Sequence, residues 1–470
     1  MVFSTMCFKL PTELWSEVFQ YCSLSDLATA SRVSRYWRAI IFPQLYREVS
    51  IKSRSHLETL VSRLELEKTR GRLQVGSCLH SLAINPDLDI HRVTLIQDYG
   101  VWFKSDDILA RRFHSVIPKL GRLEKLLWMG IRYFPSAPEL FACFRDSCPN
   151  LRSLEMSIVD ADDLATYTRR VPLVSEQVFV FKNLTRLLVK VVNESRNRNY
   201  YSPRASNKLS MMIEQSPGLV ELSLRLPGES SYIICQLKEP LPRLRSLELD
   251  GGYPQPARDV DGTANNSLGA FFRRHPHLTN VALLWAPSFR PTELPPVDPA
   301  LMPSLFPSVT KFDGPIRVCM GLVASEVAEQ LEALKVEQTL HIHSNNMNGR
   351  LDDPISALAG RARPLPNLKS LEFGKTCTCM GGHIDKTALD KLLTATPALT
   401  FLGMGPFPAQ WDDFSHTLKR VPYLASIVIA VEHQKVYMSS RDLDDANPGK
   451  LVQEGFNTLY PDIRLSIILV

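Results

Sequence analysis

A short apolar motif returns through most of this chain at uneven intervals, and it restricts the fold more than any other feature. Written as an anchor with apolar residues three and five positions later, it occurs as Leu79-Leu82-Ile84, Leu151-Leu154-Met156, Leu184-Leu187-Val189, Leu219-Leu222-Leu224, Leu244-Leu247-Leu249 and Leu278-Val281-Leu283. It returns as Leu368-Leu371-Phe373, Leu399-Leu402-Met404 and Leu424-Ile427-Ile429, with weaker copies at Leu123-Leu126, Val309-Phe312 and Leu340-Ile342. Alternation of this kind is the period of a strand with one buried face. A helix-like stretch with a proline stop precedes many copies: residues 139–144 lead to Pro149, 209–213 to Pro217, 268–272 to Pro276, 388–393 to Pro397 and 414–418 to Pro422. A helix-then-strand unit has an apolar face that only a neighbouring unit covers, so the units are expected to stack.

The pattern resembles a divergent leucine-rich repeat. The resemblance implies an irregular horseshoe, an α/β solenoid with strands on the concave face and helices outside. Most copies lack the Asn or Cys that regular members place after the last Leu, which argues against an evenly curved array. The alternative is a single doubly wound α/β domain, whose strands would show longer Val/Ile runs buried on both faces. In the repeat reading, positions +2, +4 and +6 point away from the core. They supply a candidate cargo face at Glu155, Arg186, Glu221, Glu248, Asp250, His341 and Glu372. That face is mixed and somewhat acidic, with no platform that names a cargo, and a solvated strand surface explains most of these residues singly.

The first fifty residues read differently. Residues 10–22 form one expected helix, with Pro11 at its first position, Glu13 in its first turn and Leu14, Val18 and Cys22 recurring as a stripe that Trp15 and Phe19 widen. A second helix starts near Ser25-Asp26, and a third runs through Trp37 until Pro43 stops it. Three such helices enclose too little core for so many apolar residues, which suggests a partner. Leu10-Pro11-x-Glu13-Leu14, Val18-Phe19-x-Tyr21, Ser25-Asp26-Leu27, Val33-Ser34-Arg35-x-Trp37-Arg38 and Leu45-Tyr46 together resemble an F-box.

That resemblance implies docking on the small adaptor subunit of a cullin–RING (SCF-type) ubiquitin ligase, while the remainder of the chain holds a target protein. Leu10, Pro11, Leu14, Val18, Leu24, Leu27, Val33 and Trp37 would supply the F-box core and its docking surface, two roles that the sequence does not separate. The divergent repeats and abundant prolines are similar to those of fungal F-box proteins. The expected division is an F-box over 1–50, an amphipathic linker or first solenoid helix over 51–76, and the repeat array over 77–470. A different reading makes the chain a ligase-independent scaffold whose N-terminal helices cap the array.

Composition narrows the rest. In 470 residues, 44% are hydrophobic and 22% charged, which is ordinary for a globular chain. The net charge of +5 is spread without basic blocks, so no nucleic-acid partner is expected, and Arg196, Arg198 and Arg204 beside Tyr200 and Tyr201 read as a solvated loop. No apolar run reaches a membrane span and no basic, apolar leader opens the chain, so a cytoplasmic and/or nuclear protein is expected. Nine cysteines without regular spacing fit reduced thiols. Cys377, Cys379 and His383, with His341 and His343 on a neighbouring strand, form a weak metal candidate. No cofactor is expected. Gly374-Lys375-Thr376 lacks the first glycine of a phosphate loop, and no hydrolase elbow or metalloprotease motif occurs, so no catalytic role is expected. Loops at 193–204, 251–266 and 287–307 interrupt the array, the last expected as extended, proline-stiffened chain.

Overall fold

The computed structural model describes residues 11–67, 73–84, 108–129, 137–158, 181–191, 203–226, 230–252, 267–286, 297–337, 354–374, 386–404, 417–418, 420–431 and 463–469. The chain divides into two compact units, 1–219 and 220–470.

The first unit opens with three helices, α1 (Thr12–Gln20), α2 (Leu24–Ala30) and α3 (Arg35–Leu45). Ser23 caps α2 and Ser34 caps α3, each accepting a backbone N–H three residues on. Two details depart from expectation. Pro11 is extended and precedes the helix rather than opening it. Pro43 lies inside α3, which continues to Leu45; so near a helix end the missing N–H removes one bond and the last turn survives.

The strand β1 (Glu48–Ile51) then crosses the expected boundary at residue 50. It pairs in parallel with β2 (Ser81–Ile84), which pairs with β3 (Lys125–Trp128), β4 (Ser153–Ile158) and β5 (Arg186–Val191) in that order. The amphipathic stretch after β1 is helix α4 (Arg54–Leu66), with Leu57, Leu60, Val61 and Leu64 buried as its period requires.

The second unit has β6 (Glu221–Arg225), β7 (Ser246–Gly252), β8 (Asn280–Ala286), β9 (Lys311–Pro315), β10 (Ala333–Glu337), β11 (Ser370–Phe373), β12 (Phe401–Met404), β13 (Ser426–Val431) and β14 (Arg464–Leu469). Each pairs in parallel with the next. Within each unit the order never reverses, so the switch point of a doubly wound sheet does not occur among the described strands.

The register joins like positions of the motif. Leu82, Leu126, Leu154 and Leu187 are cross-strand partners in the first unit, as are Leu222, Leu247, Val281 and Phe312 in the second. These residues are buried, and the residues alternating with them are half-buried or exposed. Helices cover the buried face. Trp128 on β3 meets Phe141 and Phe144 of the helix Ala137–Ser147 with ring centroids 4.9 and 6.1 Å apart, and Phe312 on β9 meets Phe306 at 5.7 Å.

The prolines before the strands have a more specific role than stopping helices. The N–H of Leu151 donates to Cys148 O, that of Leu219 to Ser216 O, that of Leu278 to His275 O and that of Leu424 to Val421 O. Each closes a four-residue turn whose second position is Pro149, Pro217, Pro276 or Pro422, where the ring's fixed φ fits. One carbonyl then receives two successive N–H groups of the next unit: Arg152 O from Thr185 and Arg186, and Thr279 O from Thr310 and Lys311. Turn asparagines add a side-chain link, Asn150 to Gly121 O at 3.0 Å and Asn183 to Pro149 O at 2.9 Å.

Several loop expectations change. Pro203 and Arg204 begin a helix that runs to Glu214. Gly251 and Gly252 end β7. In the proline-dense stretch, Pro299–Leu301 is a 3-10 turn and Met302–Leu305 a helical turn, because prolines are well placed at first helical positions. Residues 193–202, 253–266 and 287–296 lie outside the described residues. So does the weak copy at Leu340. The strand there is β10, whose anchor and apolar positions are Leu331, Leu334 and Val336.

Candidate docking surfaces

The three N-terminal helices separate inward from outward residues. Phe19, Leu27 and Ile41 form the core, with Trp15, Cys22, Ala30, Trp37, Ile40 and Leu45 packed around it. Trp15, Phe19 and Trp37 stack mutually at 5.2–5.7 Å between ring centroids, which is favourable aromatic spacing. The expected stripe is therefore turned about the axis of α1. Trp15, Phe19 and Cys22 face in, while Leu14 is 44% and Val18 48% exposed.

Beyond them, Tyr21 at the end of α1 is 91%, Leu24 on α2 64%, Val33 in the turn between α2 and α3 69% and Tyr36 on α3 53% exposed. Six large apolar or aromatic side chains exposed on so small a unit are surplus apolar surface of the kind that marks a partner. Of the residues expected to serve this unit, Leu27 and Trp37 belong to the core, Leu14, Val18, Leu24 and Val33 to the outside, and Pro11 to the exposed entry of α1. Leu10 lies outside the described residues.

The alternate rows of the strands form the second surface. In the first unit Glu155 on β4 lies 3.9 Å from Lys190 on β5, and Arg186 is exposed. In the second, Glu248 on β7 binds Arg225 at 2.6 Å and accepts from Ser223 at 2.9 Å, while Glu221 is exposed and Asp250 half-buried.

The most connected group lies on β9, β10 and β11. Lys335 Nζ is 2.6 Å from Glu337 and 3.1 Å from Asp313. Burial opposes charge on Lys335, but the bonds to Glu337 and Asp313 hold its ammonium above the ordinary range. Burial also pushes the Asp313 carboxyl up to about 6, against the pull of Lys335 and helped by Glu337 and Glu372. Two glycines make room beside these groups. A Cβ on Gly374 would stand 2.7 Å from a Glu337 oxygen, and one on Gly403 would stand 2.7 Å from Glu372 Cγ. Asp313, Lys335 and Glu337 were not among the expected site residues. Lys335 and Glu337 are the +4 and +6 positions of Leu331-Leu334-Val336, a copy masked by the alternation at Leu340-His341-Ile342-His343, and Asp313 is the +4 position of the weak copy Val309-Phe312.

A cleft of about 450 Å³ at the turn end of the first unit is lined by Arg145, Asp146, Cys148, Phe181 and Lys182. Burial pushes the Cys148 thiol up to about 12, so no thiolate is poised there. No group of three metal-ligating side chains occurs among the described residues, and His341, His343, Cys377, Cys379 and His383 lie outside them. No helix among the described residues is long and apolar enough to cross a membrane.

Residues 7–52 match the family described as F-box-like, an interval that takes in α1, α2, α3 and β1. The match supports an F-box protein and suggests, through that domain, a substrate-adaptor role in a ubiquitin ligase. Comparison with curated proteins finds no match.

Proposed function

We propose that this chain recruits a target protein to an SCF-type cullin–RING ubiquitin ligase, the helices docking on the ligase's small adaptor subunit and the strand–helix units carrying the target. The observation that carries the reading is the outward apolar set Leu14, Val18, Leu24 and Val33 on a three-helix unit that matches the F-box-like family. The remainder of the chain is a leucine-rich-repeat-like solenoid of fungal F-box type in this reading. Parallel strands in chain order, joined at like positions of one motif, support it. The target lies on the +2, +4 and +6 rows. The protein acts in the cytoplasm and/or nucleus, binds rather than transforms its target, and has no nucleic-acid or membrane partner.

A ligase-independent scaffold is the second reading. It is favoured by the direct passage from α3 into β1, which pairs with β2 and makes the helices continuous with the first strands. A cap, however, has no use for Val33 or Leu24 in solvent.

Co-expression of the full chain with the adaptor subunit separates the two. Wild type is expected to co-purify as a stable complex, and a Leu14→Ala, Val33→Ala double substitution to lose it while its helices stay folded. Failure of wild type to form a complex would refute the adaptor reading in favour of the scaffold.

A further inference from the structure

Around the outward apolar residues the charge is uneven. Arg32 and Arg35 flank Val33 and Tyr36 and are exposed, and Arg38 follows one turn later on α3, also exposed. The first turn of α3 contains no acidic residue, so these cations crowd the positive end of the helix dipole, the end that a cation disfavours. No carboxylate among the described residues pairs with Arg32, Arg35 or Arg38. Asp26 on α2 instead accepts the Ser23 hydroxyl at 2.7 Å. Glu13 lies in the first turn of α1 beside Thr12, whose hydroxyl lies 3.5 Å from that of Tyr36, yet it too forms no pair with them. Arg38 spends its Nε–H on Ser31 O at 3.3 Å, which leaves Arg32 and Arg35 as the open cations beside the exposed Val33 and Tyr36.

We propose that the partner surface covering Leu24, Val33 and Tyr36 carries carboxylates that meet Arg32 and Arg35, so that an apolar contact sets how tightly the helices dock and an acidic rim sets which way round. The inference rests on the adaptor reading and names the chemistry of its partner: an apolar groove edged by Asp and Glu. Unpaired like charges beside a helix N-terminus cost stability in the free chain, and an acidic partner relieves that cost only when bound in one orientation. Charge pairs at such a rim act mainly on association and are screened by salt.

The test is binding of the purified full chain to the recombinant ligase adaptor subunit, measured at about 50 mM and about 500 mM salt, across which screening changes most. Wild type should bind about tenfold more weakly at the higher salt. Arg32→Glu, Arg35→Glu should weaken binding roughly tenfold at low salt and abolish the fall with salt. Arg243→Glu, at an exposed position of the second unit, should match wild type. Wild-type binding that ignores both salt and the double reversal would overturn the acidic rim and leave the adaptor reading standing. An equal loss in Arg243→Glu would overturn the rim as well, by showing a bulk-charge effect. No binding by wild type at either salt would overturn the adaptor reading and the rim with it.

Discussion

Leu27→Ala is the substitution that most directly tests the division of the N-terminal helices into inward and outward residues. Leu27 is 4% exposed at the centre of the Phe19–Leu27–Ile41 core. Truncating a buried Leu costs about 2–5 kcal/mol, lost transfer free energy plus the cavity left behind. A core of this size supplies only about 3–5 kcal/mol in total. The substitution is therefore expected to consume most of the local stability, and backbone amides of α1, α2 and α3 should lose nearly all protection from exchange. Leu24→Ala removes the same atoms from a side chain 64% exposed and should change stability by less than about 0.5 kcal/mol. Hydrogen exchange read by mass spectrometry on the full chain resolves the two, with peptides from β7 and β8 as internal reference. Equal protection loss in both variants, or loss in Leu24→Ala alone, would refute the assignment of core and surface.

Two further outcomes concern the strand surface. Gly403→Ala should lower stability by about 1–3 kcal/mol in denaturant, because its Cβ would stand 2.7 Å from Glu372 Cγ; Gly121→Ala, whose Cβ meets nothing nearer than Ser147 O at 3.9 Å, should stay near wild type. Asp313, with its carboxyl raised to about 6 by burial, binds a proton more tightly folded than unfolded. The stability it contributes is full below its ordinary value near 3.8 and fades as pH rises through about 6. Asp313→Asn should remove about 1–2 kcal/mol of that slope, after allowance for partial exposure, in unfolding measured from pH 4 to 8.

What the sequence made legible followed from what a period can encode. Anchor, +3 and +5 positions identify β2, β4 and β5 in the first unit and β6, β7, β8, β11, β12 and β13 in the second, because a buried strand face requires apolar residues at alternate positions whatever their identity. β14 escaped because the residue three before Leu465 is Asp462, and β1 because Tyr46, in the matching place before Val49, sits within the helical motif. On α1 the period could not choose between two adjacent faces. Leu14 and Val18 satisfy helical spacing as well as Trp15 and Phe19 do, and the choice fell to Trp37, a tertiary neighbour that closes the aromatic cluster. A proline reads as a helix stop because a turn N–H bond three residues away leaves no mark in composition.

The irregular spacing of the repeats follows from how their register is held. Neighbouring units are tied by a carbonyl that receives two backbone N–H groups and by a turn closed through the anchor's own N–H. Neither device depends on which side chain occupies +2, +4 or +6. Helices and loops between strands can therefore lengthen or shorten, and the outward rows can change charge, while the ladder stays intact. The departures from that indifference are Gly374 and Gly403, buried positions that leave room for Glu337 and Glu372 against the sheet. Glycine weakens a strand or its end, and Gly403 lies within β12 while Gly374 directly follows β11. Its presence at two sites beside one Lys335-centred charge group is a cost that backbone pairing does not require, and it sets this stretch of the second unit apart from strands whose outward residues merely meet water.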